Sequence, residues 1–134
     1  ARCIRKWQEN GQPLNNIAVI YGQHRQAVTL QRAVKAAGIS CTWLKSAADK
    51  KCYDAYAGHL ALLTRQSSKG LEFDTVVLAG LGGLKGKEED LENEVRLLYV
   101  GMTRAREKLL ITGSGCNNLM LRVAELAGNR CEIV

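Results

Sequence analysis

The amino-acid sequence predicts an α/β protein built on a mostly parallel sheet with helices on both faces. Three observations carry that expectation. Ile17–Tyr21 and Thr75–Ala79 are short, largely apolar runs, the pattern of strands covered on both sides. Between such runs lies Arg25–Ala37, where Ala27, Leu30, Val34 and Ala37 recur at helical spacing. Strand-like and helix-like segments then alternate along most of the chain, which favours parallel strands joined by crossover helices.

The elements follow in order. Arg2–Gln8 predicts a short helix with Ile4 and Trp7 on one side, ended by Gly11 and Pro13. A first strand, Ile17–Tyr21, precedes the helix Arg25–Ala37, for which Gly38 is the expected stop. Ile39–Leu44 reads as a second strand, and the polar stretch Lys45–Gly58 as a loop with one helical turn. His59–Thr64 is a third strand, Ser67–Leu71 a turn, and Thr75–Ala79 a fourth strand. Leu81–Lys87 is glycine-rich, as a surface loop would be. Leu91, Val95, Leu98, Met102 and Ala105 recur at intervals of four and three, marking a helix with one buried stripe. Leu109–Thr112 is the next strand, and Leu119–Leu126 a closing helix.

Length and composition bound the functional classes. A chain of 134 residues with 46% apolar content suits one domain, residues 1–134, with one core. No run approaches the ~18 apolar residues of a membrane span, and no charged-then-apolar leader is legible. The chain opens at Ala1 rather than Met, as a fragment would. Cys3, Cys41, Cys52, Cys116 and Cys131 are dispersed without a CxxC, which disfavours a disulfide framework and a zinc site and suits reduced thiols in the cytoplasm. His24 and His59 have no neighbour at ligand spacing, so no metal site is expected. The charge of +6 is uneven. Residues 1–62 hold nine Lys and Arg against three Asp and Glu, whereas residues 63–134 hold ten of each. A basic half suits a polyanionic partner or, equally, a solvated surface.

Two polar clusters have no use in a core. LLTRQSSKGLEFDTVVLAG, residues 62–80, sets Ser67, Ser68, Lys69, Gly70 and Glu72 between two strands. LLYVGMTRAREKLLIT, residues 97–112, closes a helix with Thr103, Arg104 and Arg106 before the next strand. On a continued helix Arg104 lies about 200° from Met102, off the apolar stripe. The plain alternatives are a solvated arginine near a helix C-terminus, a serine-capped turn around Lys69, and an ordinary strand-end tyrosine at Tyr21.

Together these segments closely resemble the fifth and sixth motifs of superfamily 1 DNA helicases of the UvrD/Rep type. NNIAVIYGQHRQAVTLQRAVKAAGI, from Asn15, resembles the fourth motif. The resemblance implies the second, C-terminal RecA-like domain: three layers, a mostly parallel sheet with helices on both faces. It implies that Arg104 reaches the γ-phosphate of ATP across a cleft, a task suited to a planar, always-charged guanidinium. It implies that Glu72 accepts a hydrogen bond from the ribose and that Tyr21 stacks on the adenine. Thr64 and Gln66 fall where the family contacts the single-stranded DNA backbone. Gln66 stands in place of the usual histidine, and Gly22 in place of a second phosphate-contacting arginine, with Arg25 nearby at the helix start.

No GxxxxGK[ST] phosphate loop and no Walker B acidic pair occurs. In the family those belong to the first RecA-like domain, which the resemblance makes the partner within the same polypeptide. ATP with Mg2+ is then the implied cofactor, with Mg2+ ligands in that other domain. The short spacing between Tyr21 and Thr64 resembles the compact family members. The whole enzyme would move 3′ to 5′ on DNA, with DNA repair as one setting, and the chain alone would not hydrolyse ATP. A non-catalytic helicase-like nucleic-acid-binding module and a protein-interaction domain are the alternatives.

Overall fold

The computed structural model describes residues 1–53, 57–80 and 88–113, together with Glu125 and Gly128. The Gly-rich segment Leu81–Lys87 and the expected helix Leu119–Leu126 lie outside the described residues, as do Cys116 and Cys131.

The described elements are helix α1 (Arg2–Glu9), strand β1 (Ile17–Tyr21), helix α2 (His24–Ala36), strand β2 (Cys41–Leu44), helix α3 (Ala47–Lys51), strand β3 (Leu60–Thr64), strand β4 (Phe73–Ala79), helix α4 (Glu88–Met102) and strand β5 (Ala105–Ile111). A 3₁₀ turn, Leu14–Asn16, leads into β1. The strands form one five-stranded sheet in the order β2-β3-β1-β4-β5, and every pairing is parallel.

Side-chain alternation splits the core into two layers. Ile17, Val19 and Tyr21 of β1 join Leu60, Leu62, Val77 and Ala79 on one face, where Ile4, Ala27 and Val34 cover them from α1 and α2. Ala18 and Ile20 join Ala61, Leu63, Val76 and Leu78 on the other, where Leu98 and Met102 of α4 pack. With both faces covered, a strand can be apolar throughout, and β1 and β3 are buried at every position.

Local chemistry sets several boundaries. Gly38, just past α2, has φ +71°, a conformation that favours glycine, and its N–H caps the carbonyl of Lys35 at 2.8 Å. The helical turn expected in Lys45–Gly58 is α3, opened by a capping box. The Ser46 Oγ accepts from the Asp49 N–H at 3.2 Å, and the Asp49 carboxylate accepts from the Ser46 N–H at 2.7 Å. Hydrogen bonds from Ser46 hold the Asp49 carboxyl below the usual carboxylate range.

The structure corrects one boundary with consequences for the site. The apolar stripe predicts helix as far as Ala105, but α4 ends at Met102 and Ala105 already pairs with Phe73 at the start of β5. The reason is tertiary: the Phe73 N–H takes the Arg104 carbonyl at 2.9 Å, so the chain joins the sheet four residues before its apolar run begins at Leu109. Leu98 is buried as the stripe requires, whereas Val95 is 41% exposed.

Tyr21 is fully buried, and its hydroxyl accepts a hydrogen bond from the Trp43 indole N–H at 2.5 Å. Burial pushes the Tyr21 phenol above its ordinary value, and the bond to Trp43 partly offsets this. Among the described residues no helix is long and apolar enough to cross a membrane, and Cys3, Cys41 and Cys52 are free thiols.

Two measurements check this core. Ile20→Ala removes a fully buried side chain from the central strand and should destabilise by about 2–5 kcal/mol. Exposed Val28→Ala should change stability by less than ~0.5 kcal/mol. Urea unfolding reads both, and equal effects would mean that β1 does not sit at the centre of a packed core. The second concerns pH. A phenol whose folded pKa is raised contributes stability that is present below its unfolded value near 10 and lost as pH rises through the folded value. The destabilisation caused by Tyr21→Phe, which leaves the Trp43 donor without its acceptor, should therefore shrink above about pH 10. A gap between parent and variant that stays constant from neutral to alkaline pH would refute the burial of this hydroxyl.

Candidate functional site

The connection leaving β1 runs to the β2 side of the sheet, and the one leaving β3 runs to the β4 side. The carboxyl ends of β1 and β3 are therefore a switch point, the place where open α/β sheets bind ligands. Tyr21 and Thr64 are the last residues of these strands and are paired directly.

The turn after β3 is held by its own side chains. The Thr64 Oγ1 accepts from the Ser67 N–H at 3.0 Å, as a helix-capping threonine does. The fully buried Ser68 donates its hydroxyl to the Arg65 carbonyl at 2.6 Å, and its N–H reaches the Thr64 carbonyl at 3.0 Å. A threonine hydroxyl that accepts one bond keeps a proton to donate, and Thr64 retains 8% exposure. Gln66 is exposed on the same turn, as is Lys69, and Gly70 with φ +81° turns the chain towards β4. Thr64 and Gln66 thus lie together on one rigid turn.

Glu72 and Arg104 lie elsewhere. Each immediately precedes a strand, β4 and β5 respectively, and the pairing of those strands brings them side by side. Arg104 sits in the turn after α4, not on the helix. Its Nε donates to the Val100 carbonyl at 3.1 Å, one terminal nitrogen to the Leu71 carbonyl at 3.5 Å, and the other to the Thr103 hydroxyl at 3.1 Å. Its own N–H caps the Gly101 carbonyl at 3.2 Å. Three of the five N–H groups of a guanidinium are so committed, leaving a half-buried cation with donors for an anion. Glu72 pairs with Arg106 at 3.1 Å, both groups more than half exposed. Such a surface pair contributes about 1 kcal/mol or less and is readily exchanged for a ligand.

Tyr21 does not join this group. Its ring is enclosed on the α1/α2 face of the sheet and its hydroxyl is engaged by Trp43, so in this arrangement it has no face open to a stacking base. The physical cause is strand alternation: the last residue of β1 points into the same layer as Ile17 and Val19.

Sequence reasoning missed three participants. Trp43, in sequence only a strand residue, donates to Tyr21 and carries the Lys45 ammonium 4.0 Å from its ring centroid. Arg106 is the partner of Glu72, a relation that only the β4–β5 pairing creates. Arg65 is 3% exposed, and its guanidinium lies over Gly22: a Cβ added there would fall 2.9 Å from a terminal nitrogen. The available signal was a charged residue directly after the apolar run LALLT, beside a polar turn. Arg25 by contrast is exposed at the start of α2.

Comparison with known proteins agrees with this architecture. The chain is 33% identical over 84 residues to a DNA helicase II of Rickettsia typhi, covering 56% of this chain and 13% of that protein. It is 47% identical over 57 residues to the ATP-dependent DNA helicase Rep of Buchnera aphidicola, covering 38% of this chain and 9% of that protein. The ATP-dependent DNA helicase PcrA of Leuconostoc citreum is 42% identical over 64 residues, covering 42% of this chain and 8% of that protein. The chain thus spans about a tenth of the length of these relatives. Among solved structures, the C-terminal domain of a possible DNA helicase from Lactobacillus plantarum WCFS1 superposes with a TM-score of 0.69. It covers 93% of this chain and 73% of its own, at 22% identity, a likeness of fold. The model of the UvrD-like helicase C-terminal domain matches residues 44–115, from the end of β2 to just past β5 and so through both polar turns. Since that match takes in more than half of the sequence, the chain belongs to the UvrD-like helicase C-terminal domain family.

Proposed function

We propose that residues 1–134 form the C-terminal RecA-like domain of an ATP-dependent 3′–5′ DNA helicase or translocase, completing an ATP site shared with a first RecA-like domain and contacting single-stranded DNA. The relatives' names, DNA helicase II, Rep and PcrA, support the reading. The observation that carries it is Arg104, a half-buried guanidinium fixed on the Val100 and Leu71 carbonyls in the turn between α4 and β5.

The residues present fit part of a nucleotide site. Arg104 would hold a γ-phosphate oxygen with its remaining N–H groups and stabilise the charge that builds there during transfer. Glu72 would exchange its exposed bond to Arg106 for a ribose hydroxyl, which its carboxylate accepts. Bound ATP with Mg2+ supplies the phosphoanhydride whose hydrolysis drives opening and closing of the cleft. Among the described residues no three His, Cys, Asp or Glu side chains converge as metal ligands. Coordination of Mg2+ is assigned to the other domain, along with the phosphate loop. Thr64 would donate its hydroxyl, and Gln66 its amide, to DNA phosphates. Tyr21 serves from the core by seating Trp43 at the end of β1, and adenine stacking is not assigned to it. A cytoplasmic setting, and DNA repair as one use of the motor, belong to the same reading.

In the complete helicase polypeptide, Arg104→Ala should lower DNA-stimulated ATP turnover by about 10³-fold while leaving DNA affinity within a few-fold. Arg106→Ala should keep most of the turnover, since it removes only an exposed pair. Circular dichroism confirms folding of both. Equal losses, or near-parental turnover for Arg104→Ala, would leave Arg104 a helix-end arginine without a phosphate role. A parental polypeptide without turnover would favour a non-catalytic DNA-binding module.

Titration calorimetry on the 134-residue chain with a non-hydrolysable ATP analogue should give a Kd weaker than ~1 μM, because a single wall of the cleft supplies few phosphate donors. Tighter binding would mean that this domain holds a complete site by itself.

A further inference from the structure

Arg65 has no part in the site as described, yet it is the most deeply buried charged side chain among the described residues, at 3% exposure. A guanidinium taken out of water is held by what surrounds it, so the place of this one bears on what it does. Its surroundings suggest what the long, forked side chain does. Its N–H takes the Tyr21 carbonyl at 3.0 Å, and its carbonyl receives the buried Ser68 hydroxyl, so its backbone belongs to the turn of Thr64 and Gln66. Its guanidinium fills the space beside Gly22, where a Cβ would come within 2.9 to 3.3 Å of the terminal nitrogens and their carbon. Its stem passes α4 at Gly101, where a Cβ would lie 3.8 Å from the Arg65 Cγ and 2.8 Å from Leu78. The Gly101 carbonyl, in turn, is the one that the Arg104 N–H caps at 3.2 Å.

We propose that Arg65 is a positioning residue that ties the DNA-facing turn after β3 to the turn carrying Arg104. The proposal rests on the DNA and nucleotide roles assigned above to those two turns. The path is short: Thr64 and Gln66 flank Arg65, its stem borders Gly101, and the Gly101 carbonyl accepts the Arg104 N–H. Interiors packed as densely as organic crystals pass on displacements instead of absorbing them. Glycine at 22 leaves room for the fork, and glycine at 101 leaves room for Leu78 beside the stem. A ligand that shifts the β3 turn would therefore move the Arg65 stem and, through Gly101, the carbonyl that seats Arg104. Gly22 holds the far end of the lever.

The test follows amide signals of the isotopically labelled 134-residue chain during titration with a short oligothymidylate. In the parent, signals of the 64–68 turn and of Gly22, Gly101 and Arg104 should shift along one binding curve. Two variants cut the lever differently. Arg65→Met keeps an unbranched stem and removes the fork. Gly22→Ala keeps the charge and displaces the fork, meeting only the far end of a flexible side chain, so it folds even if Arg65→Met does not. In the folded variants the turn should still respond, while the shifts at Gly101 and Arg104 fall at least several-fold. A purely structural Arg65 would lower the melting temperature and leave the pattern of shifts unchanged, and that result overturns the proposal. So does a parent whose response is confined to residues 64–68. A parent in which the 64–68 turn itself stays silent refutes the DNA role of Thr64 and Gln66 instead, and this inference falls with it.

Discussion

The requirement that β1 be buried on both faces and paired on both edges governs the rest of the molecule. All five of its residues pair with β4 and four of them, Ala18 to Tyr21, with β3, and none is more than 3% exposed. A parallel strand in that position leaves no polar face, so every side chain must be apolar or, like Tyr21, carry its polar atom to a partner. Two separate apolar layers follow from the alternation along β1, one beneath α1 and α2 and one beneath α4. The switch point follows too, because connections leave the carboxyl ends of β1 and β3 for opposite sides.

The candidate site residues are distributed over two turns held by different means. The turn after β3 is fastened by hydroxyls, with Thr64 capping Ser67 and Ser68 closing on Arg65. The turn after α4 is fastened by a guanidinium reading backbone carbonyls of its own helix and of Leu71. Both arrangements fix side chains on short segments anchored in the sheet, and both leave donors for an anion. Charge here is local: the one cross-strand ion pair among the described residues, Glu72 with Arg106, is exposed and weak, whereas the buried Arg65 lies where the segments meet.

Much of the fold was legible from periodicity. Ile17–Tyr21 is a strand with the same bounds in sequence and structure, and α2 differs from its expected span by one residue at each end. Such runs are readable because strand and helix periods are local properties of neighbouring residues. The start of β5 was not. Ala105 to Lys108 carries the charges AREK, and only pairing with β4 draws those residues into the sheet. The burial of Tyr21 was not legible for the same kind of reason: a strand-end tyrosine looks identical in sequence whether its ring faces solvent or a core.

The sequence by itself determined the alternation of elements, the apolar character of the central strands, and the two polar motifs that carry the family likeness. Each is written in residue type and spacing along a few turns of chain. Only the tertiary structure decided that Arg106 answers Glu72, that Trp43 closes over Tyr21, and that Arg65 occupies the space left by Gly22 and borders Gly101. Those relations join residues tens of positions apart, through the order of strands in the sheet and the direction each side chain takes from it. No local pattern encodes either quantity, because both are set by the competition of all the elements to bury β1.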